Sequence, residues 1–278
     1  MKKYKVGFIG FGNMAQAIVS ALTFPINKHV LRQYGCKLSI AVSDTDEEKL
    51  NLAPKKVLTT TNNQTLVDYC DVIVLAIKPQ VAKEVLSGLD FSGKIVISIM
   101  ASTTIRAIKD IIQSKTDKIA RIMPNMNAKI GMAYSAYCFE NLNEDEKNLV
   151  RGLVSSIGNG CEVTESRMNV STAVCGSGPA FVFKFIEALS DSAIKNGLSK
   201  EMALKMAIYT VIGSASLVEN FGADVDIKSL ISSVCSKGGT TIEGINFLNE
   251  NQFDEIVCGA VEKAIKRAEE MSKENENR

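Results

Sequence analysis

Two short stretches of this chain hold residue types whose spacing could do chemistry. The first, Gly10-Phe11-Gly12-Asn13-Met14-Ala15, has the spacing G-x-G-x-x-A and directly follows a run of strand-forming residues. The second, CSKGGTTIEG (235–244), sets Gly238, Gly239, Thr240 and Thr241 beside Lys237 and a single carboxylate, Glu243. Glycine turns that lead into helices expose backbone N–H groups and hold anions. The second stretch is therefore open to three readings: a phosphate loop, a lysine active site, or an ordinary helix start.

The first stretch is the better phosphate site. Between a strand and a helix, Gly10 makes the tight turn and Gly12 lets a pyrophosphate approach the backbone. Ala15 then allows the helix to pack closely on the sheet, which completes a dinucleotide-binding fingerprint. The end of the next strand should tell NAD from NADP. Asp44 closes LSIAVSD, where its carboxylate can accept from a ribose 2′-OH, whereas Ser43 and Thr45 can donate to a 2′-phosphate. Asp44 as the cap of the following helix is a third reading.

The elements that must position these residues follow from periodicity. YKVGFIG (4–10), LSIAVSD (38–44), DVIVLAIKP (71–79) and KIVISIMAS (94–102) are rich in Val and Ile and bounded by turn residues. Several are apolar almost throughout, as parallel strands covered on both faces are. Segments 13–22, 80–88 and 103–113 read as helices between them, giving repeated βαβ units. KIARIM (118–123), AYSAYCF (133–139) and CEVTE (161–165) read as further strands. Beyond Ser166 the strand signals stop, and 181–197, 201–220 and 253–274 have helical periodicity, the last ending in a solvated, frayed tail. The expected class is α/β: a doubly wound Rossmann-type domain over 1–165, then an all-helical domain over 166–278.

Composition removes several classes of function. The 32 basic and 31 acidic residues give a net charge of +1, which argues against a nucleic-acid binder. His29 is the only histidine, so a Ser–His–Asp hydrolase and a multi-histidine metal site are nearly excluded. The seven cysteines form no CxxC pair, and no metal is expected. No apolar run reaches the roughly 18 residues of a membrane span, and a lysine-rich N-terminus interrupted by Gly10, Gly12, Asn13 and Gln16 reads as strand–turn–helix rather than as a secretory signal. A cytoplasmic protein without membrane partners is expected.

The stretches GFGNMAQAI (10–18), LAIKPQ (75–80), MPN (123–125), TAVCGSGPAFVFKFIEAL (172–189) and KGGTTIEGINFLNENQF (237–253) resemble the pyrroline-5-carboxylate reductase family nearly end to end. The resemblance implies hydride transfer from NADP(H), with NAD(H) as the alternative, to the C=N carbon of 1-pyrroline-5-carboxylate, giving L-proline. It implies a helical domain that dimerises, two chains completing each active site, and assemblies up to five dimers. It adds cofactor contacts from Asn63, from Ala76, Ile77, Lys78 and Pro79, and from Ile99, Met100 and Ala101. Read alone, Lys78 is equally a solvated charge. Glu165 matches a carboxylate close to cofactor and substrate, with a structural ion pair or helix cap as the competing account.

By the same resemblance, Gly238, Gly239 and Thr240 bind the substrate carboxylate and the Thr241 hydroxyl faces the ring nitrogen. Thr241 would be a hydrogen-bond partner or a relay from water, since its own pKa lies far above neutrality. A glycine turn with a threonine N-cap is the plain structural reading of GGTT. Ser177 can likewise cap a helix with Pro179 near its first position, and Cys175, where the family usually has serine, reads as packing. Met126-Asn127 and Lys237 depart from the family pattern. Two rival functions remain: a related dehydrogenase acting on a hydroxy acid or another imine, although Lys184 and Lys195 on the helix where many such enzymes place a catalytic lysine lie in no recognised motif, and a sensor that binds the nucleotide without turnover.

Overall fold

The computed structural model describes residues 1–222 and 224–277. Eight strands form one sheet in the order β3-β2-β1-β4-β5-β6-β7-β8. They are β1 (Lys2–Ile9), β2 (Cys36–Ser43), β3 (Leu58–Thr60), β4 (Val72–Leu75), β5 (Ile95–Ser98), β6 (Ile119–Met123), β7 (Ala133–Glu140) and β8 (Gly158–Glu162). All neighbours are parallel except β6 and β7. The strand order reverses between β1 and β4, which is where doubly wound sheets bind ligands.

The helices of this region are α1 (Asn13–Thr23), α2 (Pro25–Gln33), α3 (Glu47–Leu50), α4 (Asn63–Tyr69), α5 (Ala82–Leu86), α6 (Ile105–Ile111), α7 (Glu144–Ser155) and α8 (Met168–Ser171). They cover both sheet faces. One core gathers Val6, Phe8, Ile18, Val19 and Val42, and the other Ile73, Leu75, Val96, Ile108 and Ile119. The apolar runs of β4 and β5 are buried at every position, as the sequence requires of central parallel strands.

One helix joins the expected elements: Pro25 opens α2 at its first position, where a missing N–H costs nothing, and Leu31 buries its inner face. Two expectations change. Ser177 does not cap a helix. Instead α8 runs through a π-helical turn, Thr172–Gly176, into α9 (Gly178–Lys195), and the Ser177 N–H donates to Thr172 O at 2.9 Å. The last helix, which runs to Glu276, is not frayed into solvent either, because Ala268, Ser272 and Asn275 are buried.

The remaining helices are α10 (Lys200–Phe221), α11 (Ile227–Ser233), α12 (Thr240–Glu250) and α13 (Phe253–Glu276). The chain forms two compact units, residues 1–179 with the stretch from Lys263 onward, and residues 180–262. Element type changes at Glu165, whereas the units separate after Pro179, since α8 and its π turn belong with the sheet.

Among its described residues, the second unit has almost no interior of its own. Ser190, Ala203 and Ala207 are buried, while Phe181, Phe183, Phe185, Met206, Tyr209, Ile212 and Leu217 are exposed. Contrary to the expectation that no run is long enough, two helices, Glu165–Lys195 and Lys200–Phe221, are long and apolar enough to cross a membrane by length and composition. Only 6% and 11% of those windows are buried, so most of each apolar stretch lacks a covering surface within one chain.

Candidate active site

The dinucleotide half of the site is assembled at the carboxyl ends of β2, β1, β4 and β5. Backbone hydrogen bonds knit these ends together: Gly10 N–H donates to Ser43 O (2.8 Å), Ala76 N–H to Ile9 O (2.9 Å), and Ile99 N–H to Leu75 O (3.1 Å). Gly10 has φ +91°, and a Cβ there would lie 2.8 Å from Ala76 O, so only glycine fits the turn. Gly12 is the opposite case. Its φ is ordinary for any residue, and a Cβ there would meet nothing within 4 Å.

Gly12 is the N-cap of α1, with no side-chain cap, and Asn13, Met14 and Ala15 follow as its first helical residues. Their N–H groups have no intrahelical acceptor, and the helix dipole adds partial positive charge. Open space beside a bare helix N-terminus fits a pyrophosphate, and these residues would hold one. Phe11 is different: its ring is in the core, and its N–H donates to Asp44 Oδ2 at 2.8 Å.

The end of β2 removes one of the Asp44 alternatives. Asp44 does not cap α3; Asp46 does, accepting from the N–H groups of Glu48 and Lys49. Besides Phe11, Asp44 accepts from Asp46 N–H (3.0 Å) and pairs with Lys49 Nζ (3.4 Å). The Asp44 carboxylate and the Asp46 side chain hold the Lys49 ammonium above its ordinary range. Ser43, proposed from sequence as a phosphate donor, is fully buried and cannot be one. Its hydroxyl donates to Asn63 Oδ1 at 2.7 Å, so it orients Asn63, the first residue of α4. Thr45 is exposed, and Lys49 keeps 42% of its side chain accessible. Sequence reasoning missed Lys49; its three- and five-residue spacing from Asp46 and Asp44 was the available signal.

Of the remaining cofactor-side residues, Ala76, Ile77 and Pro79 are half-buried and Lys78 is exposed, in the turn after β4. Ile99 packs on the core beneath, Met100 is buried, and the Met100 N–H donates to Ser98 Oγ at 3.2 Å.

Glu165 realises both structural alternatives at once. Its Oε1 accepts from the Ile105 N–H at the start of α6 (2.6 Å) and from Arg121 Nη1 (3.1 Å). Arg121 is buried, so removal of the carboxylate would strand a cation in the interior. Glu165 itself keeps 37% of its side chain exposed. Arg121 was legible only as a strand residue of KIARIM.

Asn125, in MPN, supplies a donor at the end of the π turn. Pro179 has no N–H, so Cys175 O lacks the acceptor role it would have in a regular helix. Asn125 Nδ2 donates to that oxygen at 2.8 Å, while Asn125 Oδ1 accepts from Asn127 N–H at 3.0 Å. Burial pushes the Cys175 thiol up, which suits packing rather than nucleophilic attack.

In the second unit, Gly238 has φ +70° and Gly239 is the N-cap of α12, without a side-chain cap. The threonine N-cap reading is thereby replaced: Thr240 and Thr241 are the first two helical residues, and their N–H groups have no intrahelical acceptor. Gly239 N–H donates to Ser236 O at 2.9 Å, and a Cβ on Gly239 would strike Ser236 Oγ at 2.2 Å. Thr241 and Lys237 are exposed. Lys184 is spent on Glu187 at 2.6 Å on an exposed surface, which leaves the lysine-dehydrogenase reading without a site there.

A glycine-turn phosphate cradle at the switch point of a doubly wound sheet, followed by a helical unit, defines a two-domain nicotinamide-nucleotide oxidoreductase. Residues 5–102 match the family model described as NADP oxidoreductase, coenzyme F420-dependent, and residues 165–271 match pyrroline-5-carboxylate reductase dimerisation. The chain belongs to the pyrroline-5-carboxylate reductase family. It is 38% identical to the Aquifex aeolicus pyrroline-5-carboxylate reductase over 96% of this chain and 97% of the relative. The Vibrio alginolyticus enzyme is 34% identical over 98% and 99%. Among solved structures, Plasmodium falciparum pyrroline carboxylate reductase with NADP bound aligns at a TM-score of 0.82 and 30% identity, covering 97% of this chain and 98% of that one.

Proposed function

We propose that this chain reduces 1-pyrroline-5-carboxylate to L-proline with NADPH. The observation that carries the reading is the Gly10–Ala15 cradle, open at Gly12, in a chain that matches such a reductase over 96% of its length. When bound, the cofactor supplies the hydride. The protein's own work is to orient, desolvate and donate hydrogen bonds, which suits a chain with one histidine.

Asn13, Met14 and Ala15 hold the pyrophosphate on their N–H groups. Thr45 and Lys49 are the groups at the end of β2 suited to a 2′-phosphate, with Asp44 holding Lys49 in place and fixing the glycine turn through Phe11. Gly238–Thr240 offer N–H groups at the start of α12 to the substrate carboxylate, and Thr241 hydrogen-bonds the imine nitrogen and passes it a proton from water. Glu165 acts through Arg121 and the start of α6, as a positioning residue. We assign 1–165 to nucleotide binding and 166–278 to dimerisation and substrate binding, in a cytoplasmic homodimer or ring of dimers whose sites are each completed by two chains. The exposed apolar faces of α9 and α10 support this, because a second copy is the partner a dimerisation family provides.

Initial rates of pyrroline-5-carboxylate reduction with NADPH and NADH in parallel test the reading. Failure to oxidise either nucleotide, under conditions where calorimetry detects its binding, would sink it. Turnover confined to linear keto acids or six-membered imines would favour the related-dehydrogenase reading instead.

A further inference from the structure

The loop from Ile99 to Thr104, between β5 and α6, is held by residues that lie far along the chain but in the same compact unit. Asn275, buried on the last turn of α13, donates from Nδ2 to Ser102 O at 2.9 Å. Its neighbour Glu276 accepts from Thr104 Oγ1 at 2.7 Å, and that oxygen also takes the Ala107 N–H as N-cap of α6. One turn earlier, Ser272 Oγ donates to Asn169 Oδ1 at 3.2 Å.

Ser102 is the residue that needs holding. It is buried, and its φ is +50°, a left-handed conformation that a residue with a Cβ adopts only under constraint. The cost of that conformation is of the same order as the cost of leaving a buried carbonyl without a donor. Whether the loop keeps its shape therefore depends on the Asn275 amide.

We propose that Asn275 is a positioning residue for the nicotinamide nucleotide. Through Ser102 it sets the loop whose first residues, Ile99–Ala101, reach the cofactor. The inference rests on the reading of Ile99–Ala101 as cofactor contacts. Asn275 acts at one remove, from a terminal helix that sequence reading would leave in solvent.

The test uses the full-length protein. Asn275→Leu keeps the γ-branched shape and does not lower helix propensity while removing the donor, and Asn275→Gln restores an amide. NADPH affinity is read by calorimetry, and amide hydrogen exchange is followed across 99–104. Asn275→Leu should weaken NADPH about tenfold, speed exchange at Met100–Thr103 and leave KM for the imine nearly unchanged. Asn275→Gln should recover part of the affinity. Ser102→Gly, which removes the left-handed cost, should blunt the effect of Asn275→Leu in the double variant.

Unchanged exchange in the loop would overturn the clamp. Faster exchange with unaltered NADPH affinity would overturn the cofactor role, and with it the reading of Ile99–Ala101. Faster exchange spread evenly over the chain would reduce Asn275 to a general stabiliser and equally overturn the proposal. If NADPH affinity responds as expected but no imine is reduced, the inference stands and the proposed reaction falls.

Discussion

Gly10 and Gly12 sit two residues apart and respond to opposite constraints. At Gly10 a Cβ meets backbone at 2.8 Å and φ is left-handed, so Gly10→Ala should lower the melting temperature as well as nucleotide affinity. At Gly12 a Cβ enters open space, so Gly12→Val should fold normally and lose NADPH affinity by about tenfold or more, as the side chain occupies the pyrophosphate position. Calorimetry beside thermal unfolding separates the two, and retained affinity in Gly12→Val would mean the phosphates bind elsewhere. At Thr241, exposed on the first turn of α12, replacement by alanine should cost about ten- to a hundredfold in kcat/KM for the imine. NADPH affinity should stay unchanged, and an unaltered rate would remove the hydroxyl from the mechanism. The tight turn at Gly10 was legible in the sequence because it is a steric statement about one residue. The double role of Asp44 was not, since nothing in LSIAVSD says that its carboxylate reaches back 33 residues to the Phe11 N–H.

At the scale of elements, periodicity located every strand but the short β3 to within a few residues, and α1, α9, α10 and α13 as well, but it left α7 unread. It failed where tertiary partners decide the outcome. α2 is anchored by Asn27 Nδ2 donating to Ser156 O (2.9 Å) and by a Tyr34–Ser155 hydroxyl pair (2.9 Å), which are contacts across more than a hundred residues. The π turn before α9 likewise has a distant partner, since Asn125 from the loop after β6 donates to Cys175 O. One element carries its own pH dependence. Glu146 closes the capping box of α7 with Asn143 and pairs with Lys118 Nζ at 2.7 Å. Burial alone pushes its carboxyl up, but the Lys118 and Asn143 hydrogen bonds outweigh that and hold it below the usual 4.5. A carboxyl lowered in the folded state stabilises above its unfolded pKa, and that contribution is lost as pH falls through the folded value. Glu146→Gln should therefore cost about 1.5–3 kcal/mol near neutrality. Denaturant unfolding should show the gap closing as pH drops below about 4.5, and a constant gap would exclude the ion pair as its cause.

For the whole molecule, the telling quantity is what one chain leaves uncovered. α10 is apolar on nearly every face yet buries only Ala203 and Ala207, and Phe181, Phe183 and Phe185 on α9 stand in solvent. A monomer would rarely expose a contiguous apolar surface of this extent. Two coverings are physically open, since both helices are also long and apolar enough for a bilayer. Their different consequences can be measured. If a second copy covers them, the protein stays in the aqueous fraction without detergent, and light scattering gives at least twice the mass of one 30.1 kDa chain. Its unfolding midpoint then rises with protein concentration, because folding and association are linked. Phe183→Glu and Ile212→Glu sharpen the test. In an isolated chain these side chains are 52% and 53% exposed, where a surface change shifts stability by about 0.5 kcal/mol or less. Across an apolar interface each would bury an unpaired charge, so both variants should dissociate and lose imine reduction while the sheet unit still binds NADPH. Variants that keep the parent's mass and its concentration-dependent midpoint would show that the second copy does not cover these faces. Recovery of the parent only in the membrane fraction would assign them to lipid.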